Sequence, residues 1–379
     1  MRRRDVPDAH MCVAHPSRFS GYRACYSVAV FLLETRPSGG VVTTLTSVLI
    51  VDDEPALRDL MARWAVSLGL EPTTAGSSEE ALERLRSRSH DLAVIDIVMP
   101  GQNGLWLVEE LRRSHPDMPV VLATGFTDRL AEANTHVADF LIKPIRRERF
   151  ALAVDRGRKW RHQTLEESRW HRRMAEDFNA SLAEILTLVR AHDGPAPEDE
   201  FLSMLASQRV PDVMTHGDRV AVYARLIARE IGLDDEAVLV VERAARFHDI
   251  GKAAVPLALL SKPSRMTPAE ITVMQRHVEA GADILEATRT LTLIAPIVRA
   301  SHEWFGGGGY PATLSGQAIP LASRIIAIAD AYDAMTQTRS YRAHLGRNEA
   351  VAELLRSSPS QFDPDLVVAF LTVLTGNRS

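Results

Sequence analysis

The run VLIVDDEP at residues 48–55 joins four consecutive apolar residues to two carboxylates and a proline. An unbroken apolar run of this length suits a strand buried on both faces, the usual condition of a parallel sheet. Three further runs of the same type follow: LAVIDIV (92–98), VVLAT (120–124) and ADFLI (138–142). Between them lie apolar residues at helical spacing, first Leu57, Leu60, Met61, Trp64 and Leu68, then Leu105, Val108 and Leu111. Strand alternating with helix predicts an α/β unit over residues 46–150, a parallel sheet with helices on both faces.

Outward from this unit the pattern changes. Residues 1–45 show no sustained period and end in PSGG, which predicts a disordered leader or sequence upstream of the true start. The VAVFLL run at 28–33 follows MRRR but has no small-residue cleavage site, and no apolar stretch approaches the roughly 20 residues a bilayer span needs. No membrane is expected. The two cysteines, Cys12 and Cys25, both lie in this leader. The folded parts therefore have no disulfide framework, which suits a reducing cytoplasm. Residues 146–192 read as one long helix, basic in its first half (RGRKWRHQ, 156–163) and striped by Met174, Phe178, Leu182, Ile185 and Val189 in its second. That stripe fits a connector with one buried face equally with a homodimer seam.

The break DGPAPED (193–199) ends this linker, taken as 151–196. Everything from 197 to 379 reads as all-α: a capping box at Thr267–Glu270, one apolar face at Val220, Tyr223, Ile227 and Ile231, another at Ile271, Met274, Val278 and Leu285. A length of 379 residues allows two or three cores. A net charge of −5 gives no reason to expect a polyanion-coated partner, so an anionic substrate must be drawn in locally. Without an aromatic platform, a recognition helix or a helix-turn-helix pattern, no DNA is expected as partner.

Two sets of residues carry chemistry. Asp52 and Asp53 follow the first strand directly and Asp96 closes a later one, at the strand ends where open parallel sheets gather ligands. Three carboxylates there repel one another unless a cation is held, and oxygen-only ligands favour Mg²⁺. Thr124 and Lys143 end the next strands and are placed to contact a phosphoryl oxygen. With VDDEP, IDIVMPGQNG, ATG and KP, the segment 48–150 resembles the receiver domain of bacterial response regulators. That resemblance implies a flavodoxin-like fold, a doubly wound five-stranded parallel sheet. It makes Asp96 the phosphoacceptor, Asp52, Asp53 and Asp96 the Mg²⁺ site, and Thr124, Phe140 and Lys143 the switch residues. It also implies a cognate sensor histidine kinase as partner.

In the all-α part, His248-Asp249 ends an apolar helical run and continues into Ile250-Gly251-Lys252. The dipeptide alone is a poor signal, since His-Asp also occurs at 90–91 and 192–193. A His and a carboxylate inside an apolar helix need partners, and His216, His277, His302 and Asp330 stand in an order that can supply them. Imidazole and carboxylate suit Mn, Fe or Zn, and a two-oxygen carboxylate such as Asp249 can bridge a metal pair that activates water toward a phosphate ester. Lys252, one turn beyond, is placed for a phosphoryl oxygen.

HGDRV (216–220), HDIGK (248–252), RH (276–277), SHEWFGGGGYP (301–311) and RIIAIADAYDAMTQTRSYR (324–342) together resemble the HD-GYP branch of the HD phosphohydrolases. The resemblance spans about 205–379 and implies a cyclic di-GMP phosphodiesterase releasing linear dinucleotide or GMP. Its implied metal ligands are His216, His248, Asp249, His277, His302 and Asp330, holding two divalent metals such as Fe or Mn. Asp249 and Lys252 carry the catalysis, and Tyr310, Arg339 and Arg342 bind substrate. Asp212 stands where some members carry an acidic ligand for a third metal. The resemblance also implies docking of diguanylate-cyclase-type proteins at the segment Gly309-Tyr310-Pro311.

Two positions depart from that pattern: Ser301 replaces a histidine and Gly306 an aspartate. The glycine run predicts a flexible loop. Ser301 opens a second expectation, a catalytically weak module that works as a nucleotide- or protein-binding output.

Overall fold

The computed structural model describes residues 45–125, 137–337 and 345–376. The expected leader lies outside the described residues, apart from Leu45. The described residues from Leu45 to Asp177 form one compact unit and those from Phe178 onward another.

In the first unit, β1 (Ser47–Val51), α1 (Pro55–Ser67), β2 (Glu71–Ala75), α2 (Ser78–Ser87), β3 (Leu92–Asp96), α3 (Gly104–Ser114), β4 (Val120–Thr124) and β5 (Asp139–Ile142) follow in order. All strand pairs are parallel and the spatial order is β2-β1-β3-β4-β5. This is the doubly wound sheet the apolar runs predicted. Strand alternation explains why the runs are unbroken. Val48 and Ile50 of β1 enter one core with Met61 and Ala65 of α1, while Leu49 and Val51 enter the other with Leu107 and Leu111 of α3. Strand β2, at one edge of the sheet, has no apolar run, and Glu71 to Thr74 stay partly exposed.

The long helix α4 runs from Arg147 to Ala191, as its period predicted. Its start is part of the first unit: Phe150, Ala153 and Val154 fill the core beside α1. Charges fasten it further. Buried Asp139 of β5 accepts from Arg149 at 2.5 and 2.8 Å and from Arg156 at 2.7 Å. Arg161 reaches Asp91, whose carboxylate also accepts from the Thr46 and Ser47 backbone at 2.9 and 3.1 Å. In the second unit, Phe178, Ile185 and Val189 are buried within one chain, each contributing about 1.5–3 kcal/mol. The Arg276 guanidinium lies 4.3 Å over the Phe178 ring.

The second unit has helices and no strand among its described residues: α5 (Glu198–Arg209), α6 (Val213–Glu230), α7 (Asp235–Phe247), α8 (Leu257–Leu260), α9 (Pro268–Gln275), α10 (His277–Glu286), α11 (Ala295–Arg299), α12 (Leu321–Thr336), α13 (Arg347–Ser357) and α14 (Pro364–Thr375), with 3-10 turns at Ile250–Ala254, Thr292–Ile294 and Gly316–Ala318. Asp234 caps α7 through the Ala237 N–H, and the Thr267–Glu270 capping box starts α9. One expected apolar face is corrected. Met274, Val278 and Leu285 are buried but Ile271 is 42% exposed. Within α9 the buried face is Glu270, Val273 and Met274, and Ile271 falls to the side of it.

Candidate metal centre and phosphoacceptor pocket

The carboxyl ends of β1 and β3 bring Asp52, Asp53 and Asp96 together, with ligand oxygens within 4.8 Å of one another. Asp52 and Asp96 are buried and Asp53 is exposed. Lys143, at the end of β5, bridges the two buried carboxylates, 2.9 Å from Asp52 Oδ2 and 2.6 Å from Asp96 Oδ2. Burial pushes the Asp96 carboxyl up; Lys143 pulls against it, and Asp52 adds to the rise. Lys143 is itself raised, its two carboxylate partners outweighing burial. Thr124 is buried at the end of β4, and Phe140 of β5 packs half-buried against the core that holds Leu107. All the residues singled out at the strand ends thus share one end of the sheet.

In the helical unit, His216 sits on the first turn of α6, His248-Asp249 just past α7, His277 at the start of α10, His302 after α11 and Asp330 within α12. Two groups of three converge, His216 with His248 and Asp249, and His277 with His302 and Asp249, each with ligand atoms within 4.8 Å. Asp249 belongs to both. Asp330 Oδ1 joins the first group, 3.1 Å from His216 Nε2 and 3.9 Å from His248 Nε2.

The electrostatics of this cluster point to a cation. His248 Nδ1 lies 2.7 Å from the Ala245 carbonyl and His277 Nδ1 2.7 Å from the Met274 carbonyl. Each Nδ1 therefore carries the proton, which leaves Nε2 of both rings as a lone pair facing inward. His277 Nε2 faces Asp249 Oδ1 at 3.2 Å and His302 Nε2 at 3.3 Å. His248 Nε2 faces Asp249 Oδ2 at 3.5 Å, and both His248 Nε2 and Asp249 Oδ1 are buried without a hydrogen-bond partner. Buried acceptors facing acceptors cost several kcal/mol each unless a positive charge lies among them. This donor set fits two divalent metals with imidazole and carboxylate ligands.

Charge supports the same reading. Burial alone would raise Asp249, but Lys252, His248 and His277 hold it well below the ordinary carboxylate range. Burial and the neighbouring His277 push His302 down to about 3, so its ring stays neutral and able to ligate. Lys252 Nζ contacts Asp249 Oδ2. The Tyr310 ring stacks on His302 at 5.2 Å and 5°. Asp212 precedes α6, exposed, and among the described residues it joins neither cluster. Arg339 and Arg342 lie outside the described residues. The other two His-Asp pairs serve the fold: Asp91 fastens α4, and His192 stacks on Phe201 at 4.1 Å.

The site depends on one close approach. A Cβ on Gly251 would lie 1.9 Å from the His277 carbonyl oxygen and 2.4 Å from Gly281 N. Only glycine lets the turn after His248-Asp249 lie on α10, which brings Asp249 to His277. Gly251→Ala is expected to force the two apart, costing about 3 kcal/mol of stability and lowering metal content together. A urea melt and elemental analysis of the same preparation check both.

The departures have definite geometry. Ser301 is buried and its hydroxyl donates to the Val298 carbonyl at 2.8 Å, away from any ligand role. A cavity of about 10 Å³ lies among Ser301, His302 and Asp330. Gly306, where the pattern has aspartate, lies against the 359–361 backbone, and a Cβ there would sit 2.8 Å from the Ser360 carbonyl oxygen. The flexible loop read from the glycine run is corrected. Phe305 and Gly306 donate to the Gln361 and Ser360 carbonyls at 3.0 Å, and Tyr310 donates to the His302 carbonyl at 3.2 Å. Buried Glu303, which carried no role in the sequence reading, accepts from the Ala312 and Leu314 N–H groups at 2.6 and 3.0 Å.

The sequence matches the response regulator receiver domain over residues 48–155 and the HD domain over 200–366. It is 33% identical over 337 residues to the cyclic di-GMP phosphodiesterase response regulator RpfG of Xanthomonas campestris, covering 86% of this chain and 87% of that protein. A cyclic di-GMP phosphodiesterase of Thermotoga maritima is 30% identical, covering 86% and 89%. A 3'3'-cGAMP-specific phosphodiesterase of Vibrio cholerae is 34% identical over 45% of this chain and 33% of its own length. Among the described residues no helix is long and apolar enough to cross a membrane. On these matches the chain belongs to the response regulators that join a receiver domain to an HD domain.

Proposed function

We propose that this chain is a cytoplasmic two-component response regulator in which phosphorylation of Asp96 by a cognate sensor histidine kinase controls a metal-dependent cyclic di-GMP phosphodiesterase. The observation that carries the hydrolase is the convergence of inward-facing lone pairs on Asp249, with His277 Nε2 at 3.2 Å from one oxygen and His248 Nε2 at 3.5 Å from the other. His216, His248, Asp249 and Asp330 would hold one metal, and Asp249, His277 and His302 a second. When bound, such a pair supplies Lewis-acid charge and lowers the pKa of water toward neutrality. The chain's own residues do the rest. Lys252 offers a cation at the Asp249 edge, and Tyr310 presents a ring face beside His302. Two relatives matched over most of their length are named for cyclic di-GMP, which supports that substrate over other cyclic dinucleotides.

In the receiver, Asp52, Asp53 and Asp96 would hold Mg²⁺ and Lys143 would meet the phosphoryl group. Helix α4 begins at Arg147, four residues beyond Lys143, and is fastened to β5 through Asp139. A change at Lys143 therefore has a short covalent path into the linker helix.

One observation favours a second reading, a weakly catalytic module acting by nucleotide or protein binding. Ser301 spends its hydroxyl on the Val298 carbonyl, so the His277–His302 side has one imidazole fewer than the family pattern. The two readings separate in Ser301→His. If the second metal site is the weak one, this variant is expected to tighten Mn²⁺ binding at that site about tenfold, roughly 1.4 kcal/mol. Turnover should rise with it, and a Mn²⁺ titration followed by product analysis reads both. An increase in turnover from nothing identifies the original as the binding module; no change in metal affinity rules out Ser301 as the weak point.

A further inference from the structure

His216 is held differently from the other inward-facing histidines. His248 and His277 donate to the carbonyls of Ala245 and Met274, which lie in the last turns of α7 and α9. Carbonyls in a helix's last turn can accept from an imidazole, and that of Met274 also accepts from the Arg276 N–H. His216 lies on the first turn of α6, where every carbonyl is already engaged by the helix, so its ring needs a side-chain partner. That partner is Asp333, 2.8 Å from His216 Nδ1 and fully buried. Asp330 and Asp333 stand three residues apart on α12 and flank the ring, Asp330 toward Nε2 at 3.1 Å and Asp333 on Nδ1. Arg219, three residues along α6 from His216, closes the unit by donating from Nε and Nη2 to the two Asp333 oxygens at 2.7 and 2.9 Å.

We propose that Asp333 and Arg219 are positioning residues of the metal centre. Asp333 fixes His216 in the Nδ1–H tautomer with Nε2 turned toward Asp249 and Asp330, and Arg219 holds the Asp333 carboxylate aimed. A carboxylate behind a ligating histidine also strengthens the ring as a donor more than a backbone carbonyl does, and loss of such a partner typically weakens metal binding about 10–100-fold. The inference rests on the metal-centre reading above. The alternative is that the pair only neutralises buried charge between α6 and α12.

The test is Co²⁺ binding to the metal-free full chain, read from the visible absorption of the bound ion. Asp333→Ala is expected to weaken Co²⁺ binding about 10–100-fold and to shift the absorption bands, which a purely structural pair would not do. The double variant Asp333→Asn with Arg219→Met covers the case in which Asp333→Ala does not fold. Its amide oxygen can still accept from Nδ1–H but carries no charge and is no longer aimed by Arg219, so it should weaken Co²⁺ binding by less than Asp333→Ala and still measurably. Wild-type affinity and bands in a folded Asp333→Ala would overturn the proposal, as would wild-type affinity and bands in the double variant where Asp333→Ala does not fold. A wild-type chain that takes up no Co²⁺ would instead overturn the metal reading itself.

Discussion

Asp249→Ala is expected to lose both metals and to lower cyclic dinucleotide hydrolysis by at least about 10³-fold. The size of the effect follows from the position. Asp249 is the residue common to both ligand groups, with Oδ2 toward His216 and His248 at 3.7 and 3.5 Å and Oδ1 toward His277 at 3.2 Å. Removing any one histidine weakens one group, whereas removing Asp249 opens both. It also strips Lys252 of its carboxylate in a mostly buried place. Breaking a buried pair from one side costs about 3–5 kcal/mol, so a measurable fall in melting temperature should accompany the lost activity. Asp249→Asn separates the two effects. It keeps the shape and one oxygen, so it should recover most of the stability and little of the metal. Elemental analysis and calorimetry of both variants read the difference.

Asp96→Asn is expected to abolish phosphoryl labelling of the receiver, by kinase or by a small phosphodonor. Asp96 is the buried carboxylate at the end of β3, and the exposed Asp53 and the fully buried Asp52 flank it without replacing it. The fold should tolerate the change. Burial and Asp52 already push the Asp96 carboxyl up, so a neutral side chain relieves repulsion that the ionised one sustains. Lys143 keeps Asp52 as a partner at 2.9 Å. Labelling at background with an unchanged melting temperature is the expected pair of results. Persistent label at wild-type level would place the phosphoacceptor elsewhere.

The α/β unit was legible because each buried strand is an unbroken apolar run, and because the functional carboxylates follow those runs directly. Strand β2 escaped for the opposite reason: at the sheet edge Thr73 and Thr74 are as acceptable as valine. The six metal-ligand candidates were legible from their order along the chain, and the fold brings all six to one place. Their support was not. Asp333 lies in the quoted segment 324–342, three residues after Asp330, a spacing that puts both on one helix face, but no motif marked it. Arg219 and Glu303 were equally silent, since their roles are set by atoms more than 100 and about ten residues away respectively. Gly251 could be read only as part of HDIGK; the reason for it, the His277 carbonyl 1.9 Å from where a Cβ would be, exists only in three dimensions. Ile271 shows the limit of periodicity, because α9 buries Glu270, Val273 and Met274 and leaves its apolar neighbour to the side.

The most direct test of the hydrolase is to purify the full chain without oxygen, count its metals, and follow cyclic di-GMP with Asp249→Ala as control. The account predicts bound divalent metal, conversion to linear dinucleotide or GMP, and loss of both in the variant. Tight binding of cyclic di-GMP by a metal-free chain that never cleaves it would contradict the account.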